Sequence, residues 1–196
     1  FISRVFLFLI KIMARTPSNM ISLGSNAPNF SLIDVTSNSI LSLSENKGEI
    51  GTVIMFICNH CPYVKHVNPT ISRLSKKYHG NDIKFIAISS NDIINYPDDS
   101  PEKMKINALE NDFNFPYLYD ETQEVAKAYD AACTPDFYLY NSNLKLVYRG
   151  QLDNSRPGND MESDGSDMEN AIQCLKDGVE NNELQKPSIG CNIKWK

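Results

Sequence analysis

Two apolar runs frame the chain. Thr52-Val53-Ile54-Met55-Phe56-Ile57 shows no polar alternation, which predicts a strand buried on both faces. Ile83-Lys84-Phe85-Ile86-Ala87-Ile88 is a second such run. Between them Val64, Val67, Ile71, Leu74 and Tyr78 recur at alternating spacings of 3 and 4, the stripe of an amphipathic helix. Pro62 suits the first turn of that helix, where a missing N–H is no loss. Gly80-Asn81-Asp82 ends it. Strand, helix, strand in this order predicts a right-handed parallel crossover.

The other elements follow from shorter signals. Phe30–Val35 and Ile40–Leu43 read as a hairpin around Ser37-Asn38. Ser100-Pro101 opens a helix whose apolar positions are Met104 and Leu109, with Ile106. Tyr117-Leu118-Tyr119 is a short extended piece, and a helix follows over Glu121–Tyr129. Phe137–Tyr140 and Leu144–Tyr148 form a hairpin across Asn141-Ser142-Asn143. Gln151–Ser166 is a long polar loop. A closing helix over Asp167–Gly178 turns Met168, Ile172 and Leu175 inward, with Cys174 in the core. In the tail, Ile189, Cys191, Ile193 and Trp195 alternate, as in an edge strand or a packed tail.

A chain of 196 residues suits one domain with a sizeable core. We expect residues 21–196 to form it, with residues 1–20 an N-terminal extension outside the fold. The run Val5–Ile10 is too short to span a bilayer, and Met13 reads as the natural start. A cytoplasmic protein follows, or a periplasmic one if residues 1–12 are the remnant of a signal or anchor. No membrane association is expected. Net charge is −5 with both signs mixed along the chain, which argues against nucleic acid. Five cysteines with a single close pair fit reactive thiols better than a disulfide scaffold.

That close pair is Cys58-Asn59-His60-Cys61, where the first buried strand hands over to the helix. Free N–H groups and the helix dipole stabilise an anion there, and the anion on offer is a thiolate. His60, if protonated, adds positive charge. Both effects depress the pKa of Cys58 or Cys61 and favour the dithiol over the disulfide. Two inert buried thiols, or half of a zinc site, are the competing readings. A zinc ribbon needs a second Cys or His pair at similar spacing, and none is present, so neither a metal nor a cofactor is expected.

A strand–CxxC–helix unit followed much later by Thr134-Pro135 and a hairpin resembles the thioredoxin-like superfamily. More narrowly, the chain is similar to a peroxiredoxin-like subgroup bearing CxxC, of the alkyl hydroperoxide reductase/thiol-specific antioxidant type. The residues that carry this are 27–32, 55–65, 133–136, 148–158 and 187–196. The resemblance implies an α/β fold with a central mixed sheet flanked by helices, an N-terminal β-hairpin and an extended C-terminal tail. It also implies a cis peptide at Thr134-Pro135 packed against Cys58 and Cys61, with the Thr134 backbone open to an extended thiol substrate. Cys133 would then lie near the active sulfurs. The buried Asp that thioredoxins carry six residues before the first cysteine is replaced here by Thr52. On the peroxiredoxin pattern Pro-x3-Thr-x2-Cys, Cys61 takes the peroxidatic place, while Ile54 and Cys58 replace the Pro and Thr.

The first functional expectation is a thiol–disulfide oxidoreductase. Cys58, the more exposed thiolate, attacks a substrate disulfide and Cys61 resolves the mixed disulfide. Asn59 and His60 tune the thiolate, and Thr134 and Pro135 help hold the substrate. The alternative is a thiol-dependent peroxidase with Cys61 peroxidatic, Cys58, Cys133 or Cys191 resolving, and Arg149 or Arg156 supplying positive charge. Partners would be a thiol or disulfide protein or a small peroxide, with an external thiol as electron donor. A metal chaperone or redox sensor using Cys58, Cys61 and His60, His66 or Cys133 is the third reading. Cys191 is either an accessory thiol or packing.

Overall fold

The protein is described from a computed structural model, which covers residues 15–80 and 82–196. The predicted central strand is β4 (Gly51–Phe56), preceded by β2 (Ser31–Asp34), β3 (Ser39–Ser42) and the short α1 (Leu43–Asn46). After it come α2 (Pro62–Lys77), β5 (Ile83–Ser89), α3 (Pro101–Glu110) and β6 (Tyr117–Tyr119). The chain ends with α4 (Glu124–Ala128), β7 (Cys133–Thr134), β8 (Asp136–Asn141), β9 (Leu146–Gly150), α5 (Ser166–Asp177) and β10 (Ile189–Asn192).

Seven strands form one sheet in the order β3-β2-β6-β5-β4-β8-β9. β4 pairs parallel with β5 and antiparallel with β8, so the expected crossover and mixed sheet are present. Every residue of β4 is buried because cores lie on both sides. Val53 and Met55 face α2 and α5 through Val64, Val67, Ile71, Leu74, Met168 and Ile172. Ile54 and Phe56 face Ala126, Tyr129, Tyr138 and Tyr140. This two-sided packing fixes the end of β4, and with it Cys58.

Several expectations need correction. Residues 1–20 do not all stand outside the fold. β1 (Arg15–Pro17) pairs antiparallel with β10, Arg15 opposite Cys191 and Pro17 opposite Ile189. The readings of residues 1–12 and of Met13 lie outside the described residues. On α3 the buried face is Met104 and Ala108, while Ile106 and Leu109 are exposed. Positions four apart share a helix face, and the other two fall away from it. Cys174 is only half-buried and Trp195 is exposed. Of the two readings of the tail, the packed one holds: β10 lies between β1 and β7. Among the described residues no helix is long and apolar enough to cross a membrane.

Candidate active site

Cys58 follows the last residue of β4 by two positions, and Cys61 is the N-cap of α2, with Pro62 in its first turn. Facing them is the loop between β7 and β8, where the Thr134–Pro135 peptide is cis as the resemblance implied. Thr134 meets both sulfurs. Its hydroxyl lies 3.3 Å from Cys58 Sγ, and its carbonyl oxygen lies 3.3 Å from Cys61 Sγ. A third sulfur joins them: Cys191 Sγ lies 2.7 Å from Cys61 Sγ.

The charge is divided unequally. Hydrogen bonds donated by Cys191 and Cys58 hold the Cys61 thiol well below its ordinary value, with smaller help from the backbone N–H groups of Val64 and Cys191. Cys58 moves the opposite way, raised by its hydrogen bond to Cys61, by burial and by the negative charge of Asp99. Cys191 is raised by its bond to Cys61 and by burial. One sulfur is thus the anion and its two neighbours are its donors. The sequence left the anion on Cys58 or Cys61, and the opposed directions of the two shifts favour Cys61. Neither sulfur is open to solvent: Cys58 is 1% exposed and Cys61 0%.

The turn between the cysteines is pinned by a residue that sequence reasoning missed. Asp99, fully buried at the end of a 3-10 turn (Pro97–Asp99), accepts the Asn59 N–H at 2.8 Å and the Asn91 amide at 2.8 Å. Its Oδ2 also lies 2.6 Å from His60 Nδ1. The only sequence signal is the acidic pair Asp98-Asp99 in the stretch between β5 and α3. Asn59 spends its side chain internally, donating to the Asp98 carbonyl and accepting from the Tyr117 hydroxyl. His60 stacks on Tyr96 with ring centroids 5.7 Å apart. A second missed carboxyl is Asp136, next to Pro135. It is fully buried, accepts from the Tyr138 hydroxyl at 3.0 Å, and burial pushes its pKa up to about 8.

Of the other expected residues, Cys133 lies near Cys61 as expected, opposite Asn192 on β10 and within reach of the Cys61 charge, while the rest have partners of their own. Arg149 donates to the Ile21 carbonyl and Gln185. Arg156 donates to the carbonyls of Asp153 and Ser155 and to Gln151. Both guanidinium groups thus anchor loops. The Cys133 thiol donates to the Pro135 carbonyl at 3.6 Å, and burial raises its pKa. His66 pairs with the Ser155 hydroxyl at 2.9 Å, and Thr52 accepts the Gly48 N–H. A metal would find Cys58, His60 and Asp99 donor atoms within 4.8 Å of one another. It would have to displace the His60–Asp99 contact and the donors already on Asp99.

The model of the AhpC/TSA family matches residues 23–149. An uncharacterised conserved protein from Geobacillus kaustophilus is 54% identical over 94% of this chain and 97% of its own, with a TM-score of 0.92. A hypothetical protein from Sinorhizobium meliloti is 40% identical over 92% and 98%, with a TM-score of 0.90. A putative thiol:disulfide interchange protein DsbE from Chlorobium tepidum shares 17% identity over 79% and 98%, with a TM-score of 0.64, a likeness of fold. None of the curated proteins matches this chain. Family match and sheet order agree: the chain belongs to the AhpC/TSA family of thioredoxin-like oxidoreductases.

Proposed function

We propose that the protein is a thiol–disulfide oxidoreductase working through Cys58 and Cys61. The observation that carries this reading is the contact of both sulfurs with Thr134, the residue before cis-Pro135. In this reading the resting Cys58 keeps its proton and Cys61 carries the negative charge. Displacement of the Asn59–His60 turn lets a substrate disulfide reach Cys58. Its sulfur attacks one substrate sulfur, its proton passes to Cys61, and the other substrate sulfur leaves as a thiolate. Cys61 then attacks the Cys58 sulfur of the mixed disulfide. The Cys58–substrate bond breaks, the second thiol leaves with the proton from Cys61, and a Cys58–Cys61 disulfide remains. An external thiol donor restores the dithiol. Thr134 and Pro135 position the sulfurs, and His60 holds the turn through Asp99. The odd cysteine count supports a reducing, cytoplasmic setting.

The anion on Cys61 favours a second reading, a peroxidase with Cys61 as the attacking sulfur. Against it stands the use of the Arg149 and Arg156 donors on carbonyl and glutamine oxygens, with no guanidinium hydrogen bond at Cys61 among the described residues. Stopped-flow rates with a model disulfide and with hydrogen peroxide separate the two. For the reductase, Cys58→Ser loses disulfide reactivity and Cys61→Ser traps a mixed disulfide on Cys58. Rapid peroxide reaction that survives in Cys58→Ser would overturn the reductase in favour of the peroxidase.

A further inference from the structure

The edge that the resemblance left open for a substrate strand is already filled. β10 lies antiparallel to β7, with Cys191 opposite Thr134 and Asn192 opposite Cys133. The chain's own tail thus sets a cysteine beside the active sulfurs at the backbone place expected of a substrate. The tail is fixed on both flanks. Arg15 of β1 pairs with Cys191 from the other side. Further along, the Ile193 N–H donates to the Ala132 carbonyl, the Lys194 N–H to Asn91 Oδ1 at 2.8 Å, and the Gln123 amide to the Lys194 carbonyl. Ile193 itself is buried. Cys191 therefore needs no chain rearrangement to keep its sulfur 2.7 Å from that of Cys61.

We infer that Cys191 is a third redox thiol, and that Cys61 passes its disulfide bond between Cys58 and Cys191. The inference rests on the Cys58–Cys61 dithiol reading for its starting state. In the oxidised protein the Cys191 sulfur attacks the Cys61 sulfur. The Cys58–Cys61 bond breaks as the Cys61–Cys191 bond forms, and Cys58 leaves as a thiolate that takes the proton released by Cys191. Two electrons stay within the molecule throughout, so no further oxidant is consumed. The outcome is an oxidised protein whose Cys58 is again a thiol. Cys58 can then take up a second disulfide compound while Cys61 is occupied. Such a mixed disulfide lacks the neighbour that would otherwise resolve it.

The test uses the full chain treated with oxidised glutathione, acid-quenched, alkylated and mapped by peptide mass spectrometry. Wild type is expected to give both Cys58–Cys61 and Cys61–Cys191 cross-linked peptides, and Cys58→Ser the Cys61–Cys191 peptide alone. In Cys191→Ser, alkylation of Cys58 in the oxidised protein should fall at least about fivefold, since exchange no longer frees it. A wild-type digest holding Cys58–Cys61 without any Cys61–Cys191 peptide would overturn the inference and leave the reductase reading standing. The reverse result, a Cys61–Cys191 peptide in a protein that reduces no model disulfide, would remove the reductase and keep the third thiol. Glutathione retained on Cys61 in Cys58→Ser would likewise count against Cys191 as its partner.

Discussion

Asp99 Oδ2 lies 2.6 Å from His60 Nδ1, and the same carboxylate accepts the backbone N–H of Asn59. One buried acid thus fixes both residues between Cys58 and Cys61. Its charge also works on chemistry, since it helps to hold the Cys58 thiol protonated. Structure and reactivity are opposed at this residue: the group that orders the turn makes its first sulfur harder to ionise.

Asp99→Asn therefore has two separable effects. The substitution keeps the shape but weakens the bonds that a charge strengthens, including the contact to His60 Nδ1. A loss of about 1–3 kcal/mol of folding stability is expected in urea titration. Removing the negative charge also lowers the Cys58 pKa, so its alkylation profile should shift to lower pH. A variant of unchanged stability, or a profile shifted upward, would show that the carboxylate does not act on the turn in this way.

Asp136 supplies a pH signature of stability. Burial raises its folded pKa to about 8, above an unfolded value of roughly 4. Below the unfolded value the carboxyl is protonated in both states, and its contribution is fully present. As pH rises through the window toward about 8, the unfolded chain ionises first and folding loses up to about 1.4 kcal/mol per pH unit. Above the folded value the loss is complete. Protein relaxation reduces the total, so wild type should lose on the order of 2 kcal/mol between about pH 5 and about pH 8. Asp136→Asn cannot titrate and should show a flatter profile over the same range. Parallel profiles for the two proteins in urea titrations would mean that Asp136 is ionised in the fold.

The frame of this molecule was legible because it is written in local periodicity. Residues 52–57 gave a strand buried on both faces, and the stripe from Val64 to Leu74 gave the helix that follows Cys61. Position relative to those two elements located the Cys58–Cys61 pair at the end of β4. What was not legible is pairing between distant polar groups. Asp99 reaches Asn59 across 40 positions in a loop whose composition suggests only solvent. Nor does alternation in a tail reveal whether its strand lies at an edge or between two others. Ile189, Cys191 and Ile193 fit either case, and the order β1-β10-β7 was decided by residues 15–17, in a stretch expected to lie outside the fold. The partition of charge was hidden for the same reason: the proximity of Cys61 to Cys191 spans 130 positions.

Gly190 tests whether the tail strand is part of the fold and of the site together. A Cβ added there would lie 2.0 Å from the Thr134 carbonyl oxygen and 2.6 Å from its carbon. Backbone atoms cannot step aside as a flexible side chain can, so Gly190→Ala must push β10 away from β7. The cost expected of such overpacking is about 1–3 kcal/mol, read as a shifted urea midpoint. The seven-stranded sheet does not include β10, which adds only Cys191 to its cores, so cooperative unfolding should survive. Local effects should then exceed global ones: hydrogen exchange of the Cys191 and Ile193 amides should accelerate more than that of the β4 amides. Separation of the strands also draws Cys191 from Cys61, the anion whose largest stabilising donor it is. The Cys61 thiolate, followed by its ultraviolet absorbance against pH, should move back toward the ordinary thiol range. Wild-type stability together with an unmoved thiolate in Gly190→Ala would mean that the close approach of these two strands carries neither load.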